Sequence, residues 1–244
     1  MTGMPVSNPE WVACPKYKPS IPASIPPYLE QHYWWAYVHP KAVQVFEREW
    51  LVNLILFGNY GRLRDLALNA LGEVVSGRTL QVACVYGNLT ARLLARMPHD
   101  GALDVVDILP IQLQNLARKI PSDPRLSLIQ SDSSALGFAD ASHDQALLFF
   151  LLHEQPDSTR RETLRETLRV VKPGGRVVIV DYHRPHAWHP LRPLMKRVFS
   201  HLEPFAQDLW AQPLEAFLPT DFPPHHIHRT LVWGGLYQVV VLEL

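Results

Sequence analysis

Leu80-Gln81-Val82-Ala83-Cys84-Val85-Tyr86-Gly87 runs a short apolar strand into a tight turn, and a helix opens near Asn88. In a nucleotide-binding α/β domain such a turn carries two or three glycines, which let the backbone approach a ligand closely. Only Gly87 remains here. Ala83 and Val85 stand where glycines would be expected, and the β-branched Val85 resists φ > 0. Read alone, the octapeptide fits an ordinary core strand and turn at least as well as a ligand loop.

The flanking sequence changes that balance. Thr79 to Val85 reads as a first strand, and Leu89, Leu93 and Met97 share one face of a following helix. Ala102 to Val106 is a second strand ending on Asp107. Pro110 opens a helix that places Leu113, Leu116, Ala117 and Ile120 on one side. Leu126 to Gln130 is a third strand, followed by Asp132, and the apolar run Gln145 to Leu151 is a fourth, suited to cover on both faces. A helix over Ser158 to Val170 stops at Lys172-Pro173-Gly174-Gly175, and Arg176 to Val180 is a fifth strand. Such alternation predicts an α/β fold with a mostly parallel sheet wound on both sides. Gly234-Gly235, between Thr230 to Trp233 and Tyr237 to Leu242, adds an antiparallel C-terminal hairpin.

Upstream, residues 1–27 are proline-rich and read as an extended arm without regular structure. Residues 28–77 read as an aromatic-rich helical lid, and 78–244 as the catalytic domain. Within the lid, a helix from Lys41 to Phe57 would bury Val43, Phe46, Trp50, Leu54 and Phe57. A second helix follows from Arg62 to Leu71.

Composition narrows the function classes. The 244 residues are 47% hydrophobic, enough for a full core, and 23 basic residues balance 23 acidic ones. That balance gives no basic excess for a nucleic-acid partner. Cys14 and Cys84 make neither a disulfide framework nor a zinc site, so a reducing cytoplasm is expected. No basic segment with an apolar h-region follows Met1 to Gly3, and no apolar run approaches the ~20 residues of a spanning helix.

Ligands of doubly wound sheets sit beyond the carboxyl ends of the strands. Four strand ends carry polar residues. Asp107 lies 20 residues beyond Gly87, the spacing at which a carboxylate meets ribose hydroxyls. Asp132, with Ser133, could accept from an adenine amine. His153-Glu154 follows the fourth strand, and Asp181-Tyr182-His183 follows the fifth.

From Thr79 to Leu244 the sequence resembles the class I S-adenosylmethionine-dependent methyltransferases. Leu168-Arg169-Val170-Val171-Lys172-Pro173-Gly174-Gly175-Arg176-Val177-Val178-Ile179-Val180-Asp181 is similar to the turn and fifth strand of the quinone C-methyltransferases, and Gly234-Gly235-Leu236-Tyr237 fits that family's last hairpin. The resemblance implies a Rossmann-like sheet of seven strands. The block Tyr28 to Pro40, the Phe46 to Leu54 helix and the Val82 to Gly87 loop resemble the rhodoquinone-biosynthesis methyltransferase-like proteins. This second resemblance implies replacement of a ubiquinone ring methoxy group by an amino group, with S-adenosylmethionine as amino donor and manganese(II) in support. A quinone methyltransferase with a divergent loop, and a non-catalytic scaffold, are the competing expectations.

On these resemblances the cofactor set is Gln81, Ala83, Cys84, Val85, Tyr86, Gly87, Asp107, Ile108, Asp132, Ser133 and Phe150. The catalytic set is His153 as base with Glu154, Asp181 and His183, and manganese would be held by Glu154, Asp181 and His183, whose nitrogen and oxygen atoms suit it. Tyr28, Tyr33, Trp34 and Tyr37 are the candidates for contact with ubiquinone and with a membrane interface, which implies peripheral attachment at the inner face of an energy-transducing membrane. His186, His189, His225, His226 and His228 are left outside the site.

Overall fold

Strands β2 (Arg78–Val82), β3 (Ala102–Asp107), β4 (Leu126–Gln130), β5 (His143–Phe149) and β6 (Val171–Tyr182) lie parallel to their neighbours in the computed structural model. The structure describes residues 17–19, 25–33, 43 and 45–244. Two antiparallel strands, β7 (His226–Val232) and β8 (Tyr237–Glu243), finish the sheet, with β8 between β6 and β7. The expected architecture is therefore present, with one addition. Tyr17–Pro19, in the arm read as irregular, forms a short strand β1 paired with Leu128 to Gln130 of β4. Its Pro19 is tolerable there because an edge strand has one face free of ladder bonds. The eight strands run in the order β1-β4-β3-β2-β5-β6-β8-β7.

The period-two alternation of β6 explains the two-sided core. Val177 and Ile179 enter one apolar cluster with Leu80, Leu148, Leu164 and Leu168, while Val178 and Val180 enter the other with Leu63, Leu93, Leu103 and Leu113. Burying each such side chain contributes about 1.5–3 kcal/mol. Helices α1 (Pro27–His32), α2 (Glu49–Ile55), α3 (Tyr60–Leu71), α4 (Leu89–Ala95), α5 (Pro110–Lys119), α6 (Asp157–Val170), α7 (Arg192–His201) and α8 (Ala206–Ala211) complete the chain. Arg160 of α6 is fully buried and binds three carbonyls: Nε donates to Leu152, and Nη2 donates to Gln155 and Phe205. It thereby ties the turn after β5 to the segment between α7 and α8. Among the described residues no helix is long and apolar enough to cross a membrane.

The lid helix departs from expectation. Instead of one helix to Phe57, the backbone is extended at Arg48 (ψ 115°) and a separate α2 begins at Glu49. That break resets the helical phase. Val43 is buried, but Trp50 and Leu54 are 61% and 62% exposed and Phe57 turns outward too. The helix stops where Phe57 (φ 50°) and Gly58 (φ 80°) take left-handed conformations.

Helix α3 packs into the core beside the sheet. Its Tyr60, Leu63, Ala67, Leu68 and Leu71 are buried at helical spacing, and the Tyr60 hydroxyl accepts from the amides of Asn88 (2.9 Å) and Leu89 (3.2 Å) while donating to the Tyr86 carbonyl (3.2 Å). Gly87 (φ 82°) lies so near that an added Cβ would stand 2.5 Å from this hydroxyl. Gly87→Ala is expected to lose about 2–3 kcal/mol in urea unfolding, from left-handed backbone plus the clash. Tyr60→Phe, which orphans two amides, is expected to lose about 1–3 kcal/mol. Parent-like midpoints for both variants would refute this account of the turn.

Candidate active site

A cleft lies at the carboxyl ends of β2 to β6. Asp107 and Asp132 line one end. The Asp107 carboxylate accepts from the Leu109 amide through Oδ1 and the Cys84 amide through Oδ2, each at 2.8 Å. Burial raises its pKa to about 6 against the opposing pull of those amides. Asp132 Oδ1 accepts from the amide (2.8 Å) and hydroxyl (2.7 Å) of Ser134, a turn that holds the carboxylate at the rim. Ile108 lines the same end, and so does Ser133, although its hydroxyl is shared with Thr163 and Gln155.

The glycine-poor loop keeps a glycine-like path. Ala83 takes φ 72° and Gly87 φ 82°, whereas Val85 stays out of the left-handed region, as its branching requires. The left-handed alanine costs about 1–2 kcal/mol. Gln81, fully buried, meets part of that demand: its Nε2 donates to the Ala83 carbonyl and its Oε1 accepts from Thr90, each at 3.0 Å. A carboxylate at 81 could not make the first of these bonds. Glu47 and Lys119 brace the loop further. Glu47 accepts from the Gly87 amide (3.1 Å), from Asn115 and from Lys119 (2.6 Å), whose ammonium also donates to the Gly87 carbonyl (2.7 Å). Cys84, Val85 and Tyr86 face the cleft, while Gln81 and Gly87 stand behind it. Burial, then the charge of Asp107, pushes the Cys84 thiol up, so it is no thiolate.

At the other end of the cleft stands His153, in a single turn of 3₁₀ helix over Leu152–Glu154. Its Nδ1 is 2.9 Å from Asp181 Oδ1, and Asp181 also accepts from the amides of Leu152 (2.9 Å), His153 (3.3 Å) and Tyr182 (2.7 Å). His153 Nε2 faces Glu154 (3.7 Å) and Glu203 (3.9 Å). Burial alone would lower the His153 pKa, but Asp181, Glu203 and Glu154 outweigh it and raise it to about 9. Phe150, at φ 54°, sets its ring edge-on to His153, Tyr182 and Tyr237, forming an aromatic wall.

Several expected residues fall elsewhere. The manganese set does not converge: Asp181 spends its oxygens on amides and His153, while His183 turns its Nδ1 to the Gly235 carbonyl (2.9 Å), outside the cleft. Among the described residues no group of three or more His, Cys, Asp or Glu could hold a metal ion. The described residues thus do not fit manganese. Tyr28 lines the cleft, but Tyr33 is wholly buried against Leu29 and Leu109, with its hydroxyl beside Glu203. Trp34 and Tyr37 lie outside the described residues. Glu203, Gln112 and Gln155 also line the cleft without any sequence signal, because they enter from helices and connections rather than strand ends.

Residues 43–218 match the model of the ubiE/COQ5 methyltransferase family. A "Demethylmenaquinone methyltransferase" of Clavibacter sepedonicus is 31% identical over 147 residues, which is 60% of this chain and 56% of that protein. A "Ubiquinone/menaquinone biosynthesis C-methyltransferase UbiE" of Geotalea daltonii is 27% identical over 140 residues, 56% and 59% of the two chains. The chain therefore spans a little over half the length of these relatives. Among solved structures, the N-methyltransferase NodS of Bradyrhizobium japonicum superposes with a TM-score of 0.55 at 13% identity over 76% of this chain and 98% of its own. That likeness establishes the fold, and the match over residues 43–218 establishes descent: the chain belongs to the ubiE/COQ5 methyltransferase family.

Proposed function

We propose that the chain is an S-adenosylmethionine-dependent transferase that modifies the ring of a membrane quinone. The observation that carries this reading is one cleft with two unlike ends: Asp107 and Asp132 suited to a nucleoside, and a His153–Asp181 pair behind an aromatic wall suited to a flat ring. Ionised Asp107 would accept ribose hydroxyls, and Asp132 would accept from the adenine amine.

Two outcomes fit this frame. The relatives' names favour methyl transfer to a ring carbon. His153 takes the proton of a quinol hydroxyl, the activated ring carbon attacks the sulfonium methyl, and sulfur keeps the electrons of the broken bond. Loss of the ring C–H proton then restores aromaticity. The second outcome is favoured by the loop, where Gln81, Ala83 and Val85 replace the acid and glycines that seat the donor's amino-acid end. There the donor's amine, deprotonated by His153, adds at a methoxy-bearing ring carbon of ubiquinone. Methoxide leaves as methanol with the second proton, which the adding nitrogen sheds; the first passes from His153 to solvent, and the ring then carries the donor through the new C–N bond.

Mass spectrometry of the product separates the outcomes: the ring either gains a methylene or exchanges methoxy for amino. An unmodified quinone, with donor and quinol both supplied, would overturn the whole reading. His153→Gln is expected to reduce kcat about 10²–10⁴-fold. In the parent, kcat/KM should rise with pH up to about 9, because only neutral His153 accepts a proton. Asp181→Asn should move that inflection down, since it removes the strongest of the raising charges; an unmoved inflection would assign the titration to another group. Donor affinity measured by calorimetry should weaken as pH falls through about 6, where Asp107 takes up a proton. PH-independent affinity would remove Asp107 from the donor site.

A further inference from the structure

Residues 182 and 203 both line the cleft, and the chain between them leaves its wall and returns to it. The composition of that excursion is lopsided. From Tyr182 to Leu202 it holds Arg184, Arg192, Lys196 and Arg197 and no acid, in a chain whose 23 basic and 23 acidic residues cancel overall. Arg184, Lys196 and Arg197 are exposed, and among the described residues none of the four forms an ion pair. Apolar tips stand among them: Trp188 is 76% exposed, Leu194 47% and Leu202 46%. On α7, Met195 and Phe199 face the core, so at 100° per residue Leu194, Arg197 and His201 share the opposite, outward face.

A run of neighbouring residues leads from the cleft to this surface. Ile55 lines the cleft, and two residues on Phe57 packs on Trp233 (ring centroids 5.4 Å apart). Trp233 meets His189 edge-on at 5.0 Å, and His189 directly follows Trp188. Exposed tryptophan with leucine, set among cations near a cleft, has the chemistry of a membrane interface: the rings enter the headgroup layer and the cations meet lipid phosphate. A nucleic-acid surface would not need the exposed Trp188 and Leu194 tips.

We infer that residues 184–202 form a docking rim that seats the cleft mouth on an anionic phospholipid surface. The rim serves the quinone reading above by bringing the opening to the layer where such a substrate resides, but lipid binding itself needs no quinone.

The test is sedimentation of the full chain with vesicles of phosphatidylcholine alone or mixed with phosphatidylglycerol, both free of quinone. Binding is expected only to the mixed vesicles, falling as salt is raised. Lys196→Glu/Arg197→Glu should weaken it more than about tenfold, and Trp188→Ser about threefold or more. Both variants alter exposed positions, so matching thermal midpoints check that folding is intact, and each should turn over a water-soluble short-chain quinone at the parent rate. Absence of vesicle binding, equal binding to neutral vesicles, or parent-like binding by the charge-reversed variant would overturn the rim. Retention on duplex DNA without vesicle binding would overturn it too and assign the cations to nucleic acid. Intact vesicle binding with no turnover of any quinone would sink the functional reading and leave the rim standing.

Discussion

The site depends on one buried carboxylate. Asp181, next to last in β6, has no solvent exposure and, among the described residues, no salt bridge to Lys or Arg; three backbone amides and the ring of His153 meet its carboxylate. An uncompensated buried charge would cost several kcal/mol, so the turn after β5 is held where those amides reach Asp181. The two strands pair Leu148 with Ile179 and Phe149 with Val180, and the Phe150 amide donates to the Val180 carbonyl at 2.8 Å. That geometry forces Phe150 into its left-handed conformation, which the bonds to Asp181 and the packing of its ring offset. Sheet register and the orientation of His153 are therefore one constraint.

The loop after β2 solves a related problem by other means. Where glycines would let the backbone turn freely, this chain turns through a left-handed alanine and braces it from four directions. Gln81 holds the Ala83 carbonyl from below and Tyr60 caps the next turn from α3. Glu47, ahead of α2, and Lys119 of α5 clamp the Gly87 peptide. Part of the bracing thus comes from residues upstream of the sheet domain. The same bracing leaves Cys84, Val85 and Tyr86 facing the cleft, where a glycine loop would leave open space.

Much of this was legible in the sequence because it is local. Leu126 to Gln130 is a strand with the expected bounds, and Asp107, Asp132, His153 and Asp181 stand out because each follows an apolar run. What escaped is non-local. The α2 face could not be read because one extended residue, Arg48, shifts the phase of everything after it. β1 is three residues of edge strand, which needs no apolar run to pair. The manganese set failed because spacing shows which side chains stand near each other, but not that amides already occupy the oxygens of Asp181 or that a carbonyl holds His183. Glu203 reaches the site from beyond α7, with nothing near it in sequence to mark it.

Glu203 matters because it changes the charge His153 experiences. With Asp181 at one ring nitrogen and Glu154 and Glu203 facing the other, the carboxylates around His153 favour imidazolium at neutral pH. A base must give up that proton before it can act. The proposed donor carries a sulfonium, and its entry brings a second positive charge to a region already balanced by the first. Repulsion between the two lowers the proton affinity of His153, and by linkage loss of the proton strengthens the grip on the donor by the same factor. On the proposed function, three carboxylates around one imidazole would then both hold its proton and attract the cation whose arrival releases it.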